Sequence, residues 1–402
     1  MIRYGSVHLG SHQQEEALPV FKKFKSLTAG ELQPANVGTL EEELSELWKS
    51  AAVDAGTEHP VVRASVLTLL AFVENEKDGR ETFNLISHVI AQNPCRAILM
   101  VAEPREQHED LSAWISAQCH LPPSGARQVC CEQIYVRARG EAVSGLDNVI
   151  FPLIVPELPV YLWWRAGRFA PPSFLDGVLR ITNRVLVDSR RFEEPETDLA
   201  TLARQVRRFR DAKGTAFSDL NWARLTPCRE LIAQSFDSHE ALSCLQDLAD
   251  VRFEWQMGVN DPANHVAHAL LITAWLASRL GWQPLGRMVA STSPDRVIEF
   301  RQGNNPVRVE WAVRRESTQA QNLFKVQMKT RSSPPAIFSV AESAAEGIVR
   351  TSAQMPGRAP LERTARLVVM GDVELVNEEL KFPERDSIYE ETLALIARMV
   401  EL

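Results

Sequence analysis

The sequence lacks the short motifs that most often announce a cofactor or a catalytic nucleophile. No G-x-G-x-x-G follows a candidate strand, and G-x-x-x-x-G-K-[ST] does not occur in the 402 residues. A G-x-S-x-G elbow is missing too, and the serines beside candidate strands have no recognisable local base. These absences disfavour NAD, FAD or ATP binding by the usual loops. We therefore expect no cofactor and no catalytic residues.

Net positive charge is also lacking. The chain has 44 Lys and Arg against 52 Asp and Glu, which gives a formal charge of -8. A general nucleic-acid or anionic-membrane binder needs a basic surface, so we expect neither partner. One candidate helix and the strand end before it are locally basic, through Arg190, Arg191, Arg204, Arg207, Arg208 and Arg210. Such a run is usually a solvated face, and a phosphate or acidic-protein site is the alternative.

Long hydrophobic runs are absent. The longest apolar segment, Val266 to Leu280, is too short to cross a bilayer and contains His268, Thr273 and Arg279, so it predicts a buried helix. The first eight residues show no charged segment followed by an apolar run and a small-residue cleavage site. We expect a cytoplasmic protein.

Cysteine is scarce, with six in the whole chain. In a cytoplasmic protein of this length they do not predict a disulfide framework, and the adjacent Cys130 and Cys131 lack metal-ligand spacing. We expect reduced thiols in or beside strands. A redox switch that uses Cys95, Cys119, Cys130 or Cys131 is the alternative.

Histidine patterns approach metal-ligand spacing without reaching it. His265 and His268 lie three residues apart near the start of the long helix, and Asp261 precedes His265 by four residues. A zinc site needs a third ligand and outer hydrogen-bond partners, so a helix-start histidine pair is the better interpretation. The soft ligands between Cys119 and Cys131 lack C-x-x-C spacing. We expect no metal site.

What the chain does contain is enough apolar sequence for two domains, since 45% of its residues are hydrophobic. Residues 1–56 hold one helix signal, Leu40 to Ala52, and are interpreted as an N-terminal helical extension. Over residues 57–215, alternating strands and helices predict a Rossmann-like three-layer α/β domain with a mostly parallel sheet. The predicted strands are Ala64 to Val73, Arg96 to Ala102, Gln128 to Arg139, Val160 to Arg165 and Arg184 to Asp188. The predicted helices lie near Arg80 to Gln92, Glu109 to His120, Leu146 to Ile154, Ser173 to Arg180 and Leu199 to Arg210.

Residues 216–402 predict an α+β C-terminal domain, which begins after a polar junction at Asp211 to Thr215. Thr226 can cap a helix that starts at Pro227, and the apolar helix Pro262 to Leu280 should run through the core. Strand patterns at Val297 to Arg301, Val307 to Val313, Phe324 to Met328 and Ile337 to Val340 predict an antiparallel sheet. An amphipathic helix, Arg385 to Leu402, closes the chain.

The strand Val160 to Arg165 is the strongest candidate for recognition because it combines aromatic residues with an arginine. Alternation places Tyr161, Trp163 and Arg165 on one face and Trp164 on the other, so we expect Trp164 in the core and Trp163 outside it. A tryptophan beside an arginine at a strand end is a common interface anchor. Burial in a smaller core is the alternative for Trp163.

Ligands of parallel sheets bind beyond the carboxyl ends of the strands, where Arg165 and Asp188 to Arg190 should lie. Trp222, like Trp163, is either an interface anchor or a buried core residue. We predict contacts with a partner, and no catalysis, from this set: Tyr161, Trp163, Arg165, Asp188, Ser189, Arg190, Trp222, Arg224, Arg229 and Glu230.

Four segments, in this order and spacing, resemble the glucose-6-phosphate dehydrogenase assembly protein family, OpcA: Cys130 to Ile134, Pro156 to Arg165, Arg184 to Arg190 and Asp219 to Leu231. The resemblance covers about Arg63 to Gly281. It implies a non-catalytic partner that binds glucose-6-phosphate dehydrogenase, favours its active oligomer and raises its activity, with a redox-linked effect in photosynthetic members. Cys228 stands where the family motif has a bulky aromatic residue, and the resemblance transfers no residue-level site.

Two other functions stay open. The first is a sugar-phosphate-binding protein or enzyme, with Arg165, Asp188, Ser189 and Arg190 around the ligand at the carboxyl edge of the sheet. The second is a structural module that binds a different protein and has no metabolic effector role.

Overall fold

The computed structural model describes most of the chain: residues 33–46, 61–63, 65–120, 128–172, 174–257, 264–288, 295–315, 324–342, 347–366, 370–381 and 384–401. Residues 47–52 of the predicted first helix, and Asp261, lie outside these ranges. Within them, no helix is both long and apolar enough to cross a membrane.

Among the residues that the structure describes, the first sheet has nine strands. They are β1 (Gln33–Ala35), β2 (Val61–Arg63), β3 (Leu67–Val73), β4 (Cys95–Glu103), β5 (Asp110–His120), β6 (Gln128–Arg139), β7 (Val160–Trp164), β8 (Arg184–Val187) and β9 (Ala216–Asp219). Their order is β1-β5-β6-β4-β3-β7-β8-β9, and β2 also pairs with β6. All neighbours from β6 to β9 are parallel, whereas β5 is antiparallel to β6. The mostly parallel Rossmann-like sheet is confirmed.

The helices are as follows: α1 (residues 40–46), α2 (Glu76–Gln92), α3 (Leu146–Ile150), α4 (Leu175–Ile181), α5 (Pro195–Lys213), α6 (Leu220–Arg224), α7 (Thr226–Gln234), α8 (His239–Cys244), α9 (Asn264–Leu280), α10 (Asp372–Lys381) and α11 (Ser387–Glu401). Every residue of β3 is buried, because helices cover both faces of the sheet. Leu69 and Ala71 pack on the side of α2 and α10, while Leu70 and Phe72 pack on the opposite side.

Over the described ranges, the second sheet has eight strands. They are β10 (Leu248–Met257), β11 (Gln283–Pro284), β12 (Arg296–Gln302), β13 (Asn305–Arg315), β14 (Phe324–Thr330), β15 (Ile337–Glu342), β16 (Ile348–Gln354) and β17 (Leu361–Arg366). The order is β11-β12-β13-β10-β14-β15-β16-β17, and every pair is antiparallel except β10 with β13. The apolar helix α9 contacts it through the indole of Trp311, which donates to Thr273 Oγ1 at 3.0 Å. The predicted antiparallel sheet is confirmed.

The predicted helix from Glu109 to His120 is wrong, because this segment is strand β5. It pairs with β6 along its whole length, from Asp110 opposite Arg139 to His120 opposite Val129. The five residues 113–117 are all buried, which a surface helix would not allow. Pairing with a long neighbouring strand therefore outweighs the helical spacing of the apolar residues.

The structure also corrects the predicted start of α7. Thr226 is the first helical residue and its side chain does not cap the helix. Its Oγ1 instead accepts a hydrogen bond from Arg229 Nη2 at 2.9 Å. The polar segment Asp211 to Thr215 contains the end of α5, where Gly214 caps the helix with a left-handed φ of 78°. Strand β9, which begins two residues later, was not predicted and extends the first sheet.

The cysteines differ in part from the expectation of six reduced thiols. Cys130 is disulfide-bonded, and in the strand register it lies opposite Cys119. Cys95, Cys131, Cys228 and Cys244 are not part of a disulfide. Burial raises the pKa of Cys131 to about 11 and that of Cys228 to about 12, so these two thiols stay protonated near neutral pH and are not activated nucleophiles.

Candidate functional site

The candidate site lies at the carboxyl ends of β7, β8 and β9, where Arg165 follows β7. Its guanidinium is buried, with 1% of the side chain exposed. Arg165 Nη2 donates to Glu81 Oε1 of α2 at 2.6 Å, and Nη1 donates to Asp372 Oδ2 of α10 at 3.5 Å. The guanidinium carbon lies 4.7 Å from the ring centre of Trp163. The cation is thus held between two helices and the indole below it.

Both neighbouring tryptophans are core residues, so the expectation that Trp163 lies outside the core is wrong. Trp163 is 0% exposed and Trp164 is 1% exposed. Trp164 stacks on Phe72 on one face of the sheet, with ring centres 4.6 Å apart. Trp163 packs with Tyr161 on the face that α2 and α10 cover. Strand alternation separated the two side chains correctly, but in a parallel sheet both faces are interior.

Asp188 follows β8 and binds Arg224 of α6 through both carboxylate oxygens, at 2.8 Å and 3.0 Å. The same guanidinium donates to Asp372 Oδ1 at 2.6 Å. Arg190 Nη2 lies 3.6 Å from that oxygen, and its side chain is 38% exposed. Burial raises the pKa of Asp372, but Arg224, Arg190 and Arg165 together lower it below its ordinary value. Asp372 is therefore a carboxylate shared by three arginines.

Asp219 ends β9 and is completely enclosed. Its Oδ1 accepts hydrogen bonds from the backbone N–H groups of Ser189 and Asn221, both at 2.9 Å. The hydroxyl of Tyr389 in α11 donates to Oδ2 at 3.3 Å. Burial raises the pKa of Asp219 to about 6, although hydrogen bonds from Ser189 oppose the shift. This carboxyl group joins the ends of β8 and β9 to the C-terminal helix.

Trp222 is also buried and links α6 to the start of α11. Its indole donates to Asp386 Oδ2 at 2.7 Å. Arg229 lies over the Trp222 ring, 3.3 Å from its centre, and donates to the Trp222 carbonyl oxygen at 2.7 Å. Burial lowers the pKa of Arg229 to about 10, despite the nearby Asp386 carboxylate. The pair is an internal cation–π contact of the protein.

Carboxylates also surround the start of α2, where a Rossmann-like enzyme would receive phosphate groups. Asn75 caps the helix by accepting from Asp78 N, and Asp78 Oδ1 in turn accepts from Arg191 Nη2 at 3.1 Å. Glu76 Oε2 lies 3.2 Å from Arg139 Nη2. These acidic side chains already complement the positive end of the helix dipole and would repel a pyrophosphate.

The structure brings most of the predicted contact residues together but turns them inward. Arg165, Asp188, Arg190 and Arg224 meet around Asp372; Ser189 binds Asp219; and Trp222 and Arg229 meet near Asp386. Tyr161 is buried beside Trp163, and Glu230 is exposed on α7.

Sequence reasoning missed Asp372, Asp386 and Tyr389, which complete these networks. They lie more than 140 residues along the chain from Trp222, Arg224 and Asp219, which they contact. No local pattern marks them. The segments after the strands contain more arginines than acidic residues. Because buried arginines need acidic partners, this excess indicates that carboxylates from elsewhere in the chain pack there.

At the opposite, amino end of the sheet lies an open cavity of about 680 Å³. Its walls include Pro156, Glu157 and Leu158 from the loop before β7, and its floor includes Arg96. Arg96 Nε donates to Glu132 Oε2 at 2.5 Å, and Nη1 donates to the carbonyl oxygen of Leu153 at 2.8 Å. The positive charge of Arg96 is thus neutralised by the Glu132 carboxylate.

Two family models match the chain. One is described as the glucose-6-phosphate dehydrogenase subunit N-terminal domain and matches residues 87–204; the other is the C-terminal domain of the same subunit and matches residues 215–393. Among curated proteins, the chain is similar to three cyanobacterial ones that are provisionally named OxPP cycle protein OpcA.

The relative from Synechocystis sp. is 29% identical over 78% of this chain and 65% of its own length. The Nostoc punctiforme relative is 32% identical over 57% of this chain and 47% of its own. The Synechococcus elongatus relative is 30% identical over 78% of this chain and 69% of its own. The chain therefore spans less than two thirds of the first two relatives.

Solved structures resemble the chain more distantly. The yvaA protein of Bacillus subtilis, provisionally titled an oxidoreductase, aligns with a TM-score of 0.43 and 11% identity over 85% of this chain and 96% of its own. Homoserine dehydrogenase of S. aureus aligns with a TM-score of 0.29 and 10% identity over 80% of this chain and 76% of its own.

Proposed function

This chain belongs to the OpcA family of glucose-6-phosphate dehydrogenase assembly proteins, and from that membership we propose that it binds glucose-6-phosphate dehydrogenase as a non-catalytic assembly factor. In this proposal it acts in the cytoplasm, favours the active oligomer of the dehydrogenase and so raises NADPH production in the oxidative pentose phosphate pathway. Support comes from both halves of the chain, since the two family models together reach from residue 87 to residue 393.

The single observation that favours a binding role over a catalytic one is the filled carboxyl edge of the first sheet. Asp372 of α10 occupies the place beside Arg165 and Arg224 where an α/β enzyme would receive its ligand. Arg191 and the start of α2 are likewise joined through Asp78. A reaction would first require these internal ion pairs to break.

An activator works by binding the active state of its partner more tightly than the inactive state. A tenfold shift in that equilibrium requires only about 1.4 kcal/mol of differential affinity. One or two well-placed contacts can supply this free energy. The proposed function therefore needs no large rearrangement of this chain.

The contact residues proposed from the sequence now divide into two groups. Glu230 is exposed and Arg190 is partly exposed, so these side chains are able to touch a partner. Trp163, Arg165 and Trp222 are buried and would act by holding the surface in place. We propose that the dehydrogenase contacts the exposed side chains of Arg190 and Glu230.

The test is a titration of the cognate glucose-6-phosphate dehydrogenase with this protein while NADPH formation is followed. We expect a saturable rise in rate with the wild type and a right-shifted curve with Glu230→Lys. Glu374→Lys, an equal charge reversal at an exposed position of α10, is the matched control and should behave as the wild type. The protein alone should form no NADPH from glucose 6-phosphate. An unchanged dehydrogenase rate at saturation would contradict the activator proposal, and turnover by the protein alone would favour the sugar-phosphate enzyme.

A further inference from the structure

Three arginines converge on a single carboxylate at the carboxyl edge of the first sheet. Arg224 Nη2 lies 2.6 Å from Asp372 Oδ1, and Arg190 Nη2 lies 3.6 Å from the same oxygen. Arg165 Nη1 lies 3.5 Å from Asp372 Oδ2. Arginine forks are the side chains best suited to bind the oxygens of a phosphate group. The three arginines therefore have the geometry of an anion-binding site, and the anion that they bind is the Asp372 carboxylate of the same chain.

The hydrogen-bond donors at this site exceed what Asp372 accepts, although Glu81 and Asp188 balance the charges of Arg165 and Arg224. Arg165 is 1% exposed, and its Nε has no hydrogen-bond partner among the described residues. Burial lowers the pKa of Arg165, Arg191 lowers it further, and the carboxylates of Glu81, Asp372 and Asp188 do not restore it to its ordinary value. Asp188 is already engaged with Arg224 through both oxygens. The buried guanidinium would gain from a more highly charged anion.

Asp372 reaches the cluster as the first residue of α10, which is anchored further along. Leu375, Val376 and Leu380 bury the apolar side of α10 in the core that it shares with α2. Asn377 adds a hydrogen bond from Asn93 Nδ2 at 2.7 Å. The fully buried anchors thus lie after the first three residues of α10, whereas Met370 and Val373 pack only partly against the same core.

We propose that Arg165, Arg190 and Arg224 form a binding site for a phosphoryl group, and that Asp372 occupies this site as a tethered anion until a phosphate-bearing ligand displaces it. The ligand class is inorganic phosphate or a phosphate monoester. Three arginines offer more donors than one carboxylate accepts, and a phosphoryl dianion brings three acceptor oxygens and up to two charges. The proposal does not depend on the dehydrogenase, because the site lies wholly within this chain.

The test compares Asp372→Ala with the wild type by isothermal titration calorimetry. Inorganic phosphate, glucose 6-phosphate and glucose are titrated separately. Removal of the competing carboxylate should tighten binding of the two phosphate compounds by roughly tenfold or more, whereas glucose should not bind. Equal gains for both compounds would identify a general phosphoryl site, and a larger gain for glucose 6-phosphate would identify a sugar-phosphate site.

Two further variants separate this site from a general gain of positive charge. Glu374→Ala removes an exposed carboxylate from the same helical turn and should bind phosphate as the wild type does. Asp372→Ala with Arg190→Gln should lose most of the gain. Equal binding by Asp372→Ala and the wild type, or an equal gain in Glu374→Ala, would overturn the proposal. If Asp372→Ala does not fold, Asp372→Asn keeps the side-chain volume without the charge and must show tighter phosphate binding by the same criterion.

Discussion

The role assigned to Trp163 differs between the sequence and the structure. In the sequence it resembles an interface anchor beside an arginine, whereas in the structure it is completely buried under Arg165. Its indole Nε1 has no hydrogen-bond partner among the described residues, so the ring contributes through packing and through the cation above it. We therefore assign Trp163 to stability.

Trp163→Ala should lower the free energy of unfolding by about 3 to 5 kcal/mol, since it leaves a large cavity below a buried cation. Urea denaturation followed by circular dichroism measures this change. Phe151→Ala is a suitable control because that ring is 38% exposed, and it should cost much less. A stable Trp163→Ala protein that fails to bind the dehydrogenase would restore the contact role expected from the sequence.

Asp219 should make stability depend on pH in an unusual direction. Its pKa is raised to about 6 in the folded protein, against about 3.9 in an unfolded chain, so between these values the folded state binds more protons. The contribution of Asp219 to stability is therefore largest in acid and falls as pH rises through this window. The difference in unfolding free energy between the wild type and Asp219→Asn should fall by about 2 kcal/mol from pH 4 to pH 7.

Urea unfolding of both proteins at pH 4, 5, 6 and 7 tests this prediction. Taking the difference cancels the contributions of other carboxyl groups with raised pKa values, such as Asp198 and Glu74. A difference that stays constant with pH, or that grows as pH rises, would contradict the assignment.

Within elements, two glycines have opposite predicted responses to the same substitution. A Cβ on Gly79 of α2 would lie 2.7 Å from Tyr135 Oη and 2.8 Å from Val101 Cγ2, and both of these side chains are buried. Gly79→Ala should therefore destabilise the protein by about 1 to 3 kcal/mol, which exceeds the gain in helix propensity. The midpoint of thermal unfolding is the measurement.

Gly177 of α4 is the matched control. A Cβ there would meet only the ring of Phe151, at 2.8 Å, and this partly exposed ring is able to turn away. Gly177→Ala should be neutral or stabilise by up to about 1 kcal/mol through helix propensity. A rise in melting temperature for both variants would show that the packing of α2 on β4 and β6 is looser than the distances indicate.

Elements with strong hydrophobic periodicity could be predicted from the sequence. Elements whose conformation depends on pairing with another strand could not. The strands β3, β4 and β7 and the helices α2, α5 and α9 could be predicted because apolar runs and helical spacing are local. Strand β5 was predicted as a helix, because its pairing with β6 leaves no local signal in the sequence. Short strands such as β9, with four residues, contain too little pattern to be recognised.

At the scale of the whole molecule, α10 packs against the first sheet, and α11 contacts both α5 and α9. Helix α10 packs on α2, and Tyr389 of α11 reaches Asp219 at the end of β9. Arg184, which begins β8, pairs with Glu379 of α10 at 3.1 Å. This arrangement could not be predicted, because these contacts join residues far apart in the chain and leave no local signal. The division at residue 215 remains a prediction.

Deletion of residues 370–402 should therefore unfold the first domain as well. It would expose the apolar face beneath α10 and leave Arg165, Arg184 and Arg224 without the carboxylates of Asp372 and Glu379. We expect an aggregated protein without a cooperative melting transition. Size exclusion measures the aggregation, and circular dichroism measures the melting. A soluble truncated protein with the melting temperature of the full chain would contradict this dependence.

The most direct test of the proposed function is the mass of a mixture of this protein with its cognate glucose-6-phosphate dehydrogenase, determined by size exclusion with multi-angle light scattering. We expect a mixed species heavier than either protein alone, and a dehydrogenase oligomer that persists at dilutions where it otherwise dissociates. Two unchanged peaks at every ratio and concentration would show that this chain does not assemble with the dehydrogenase.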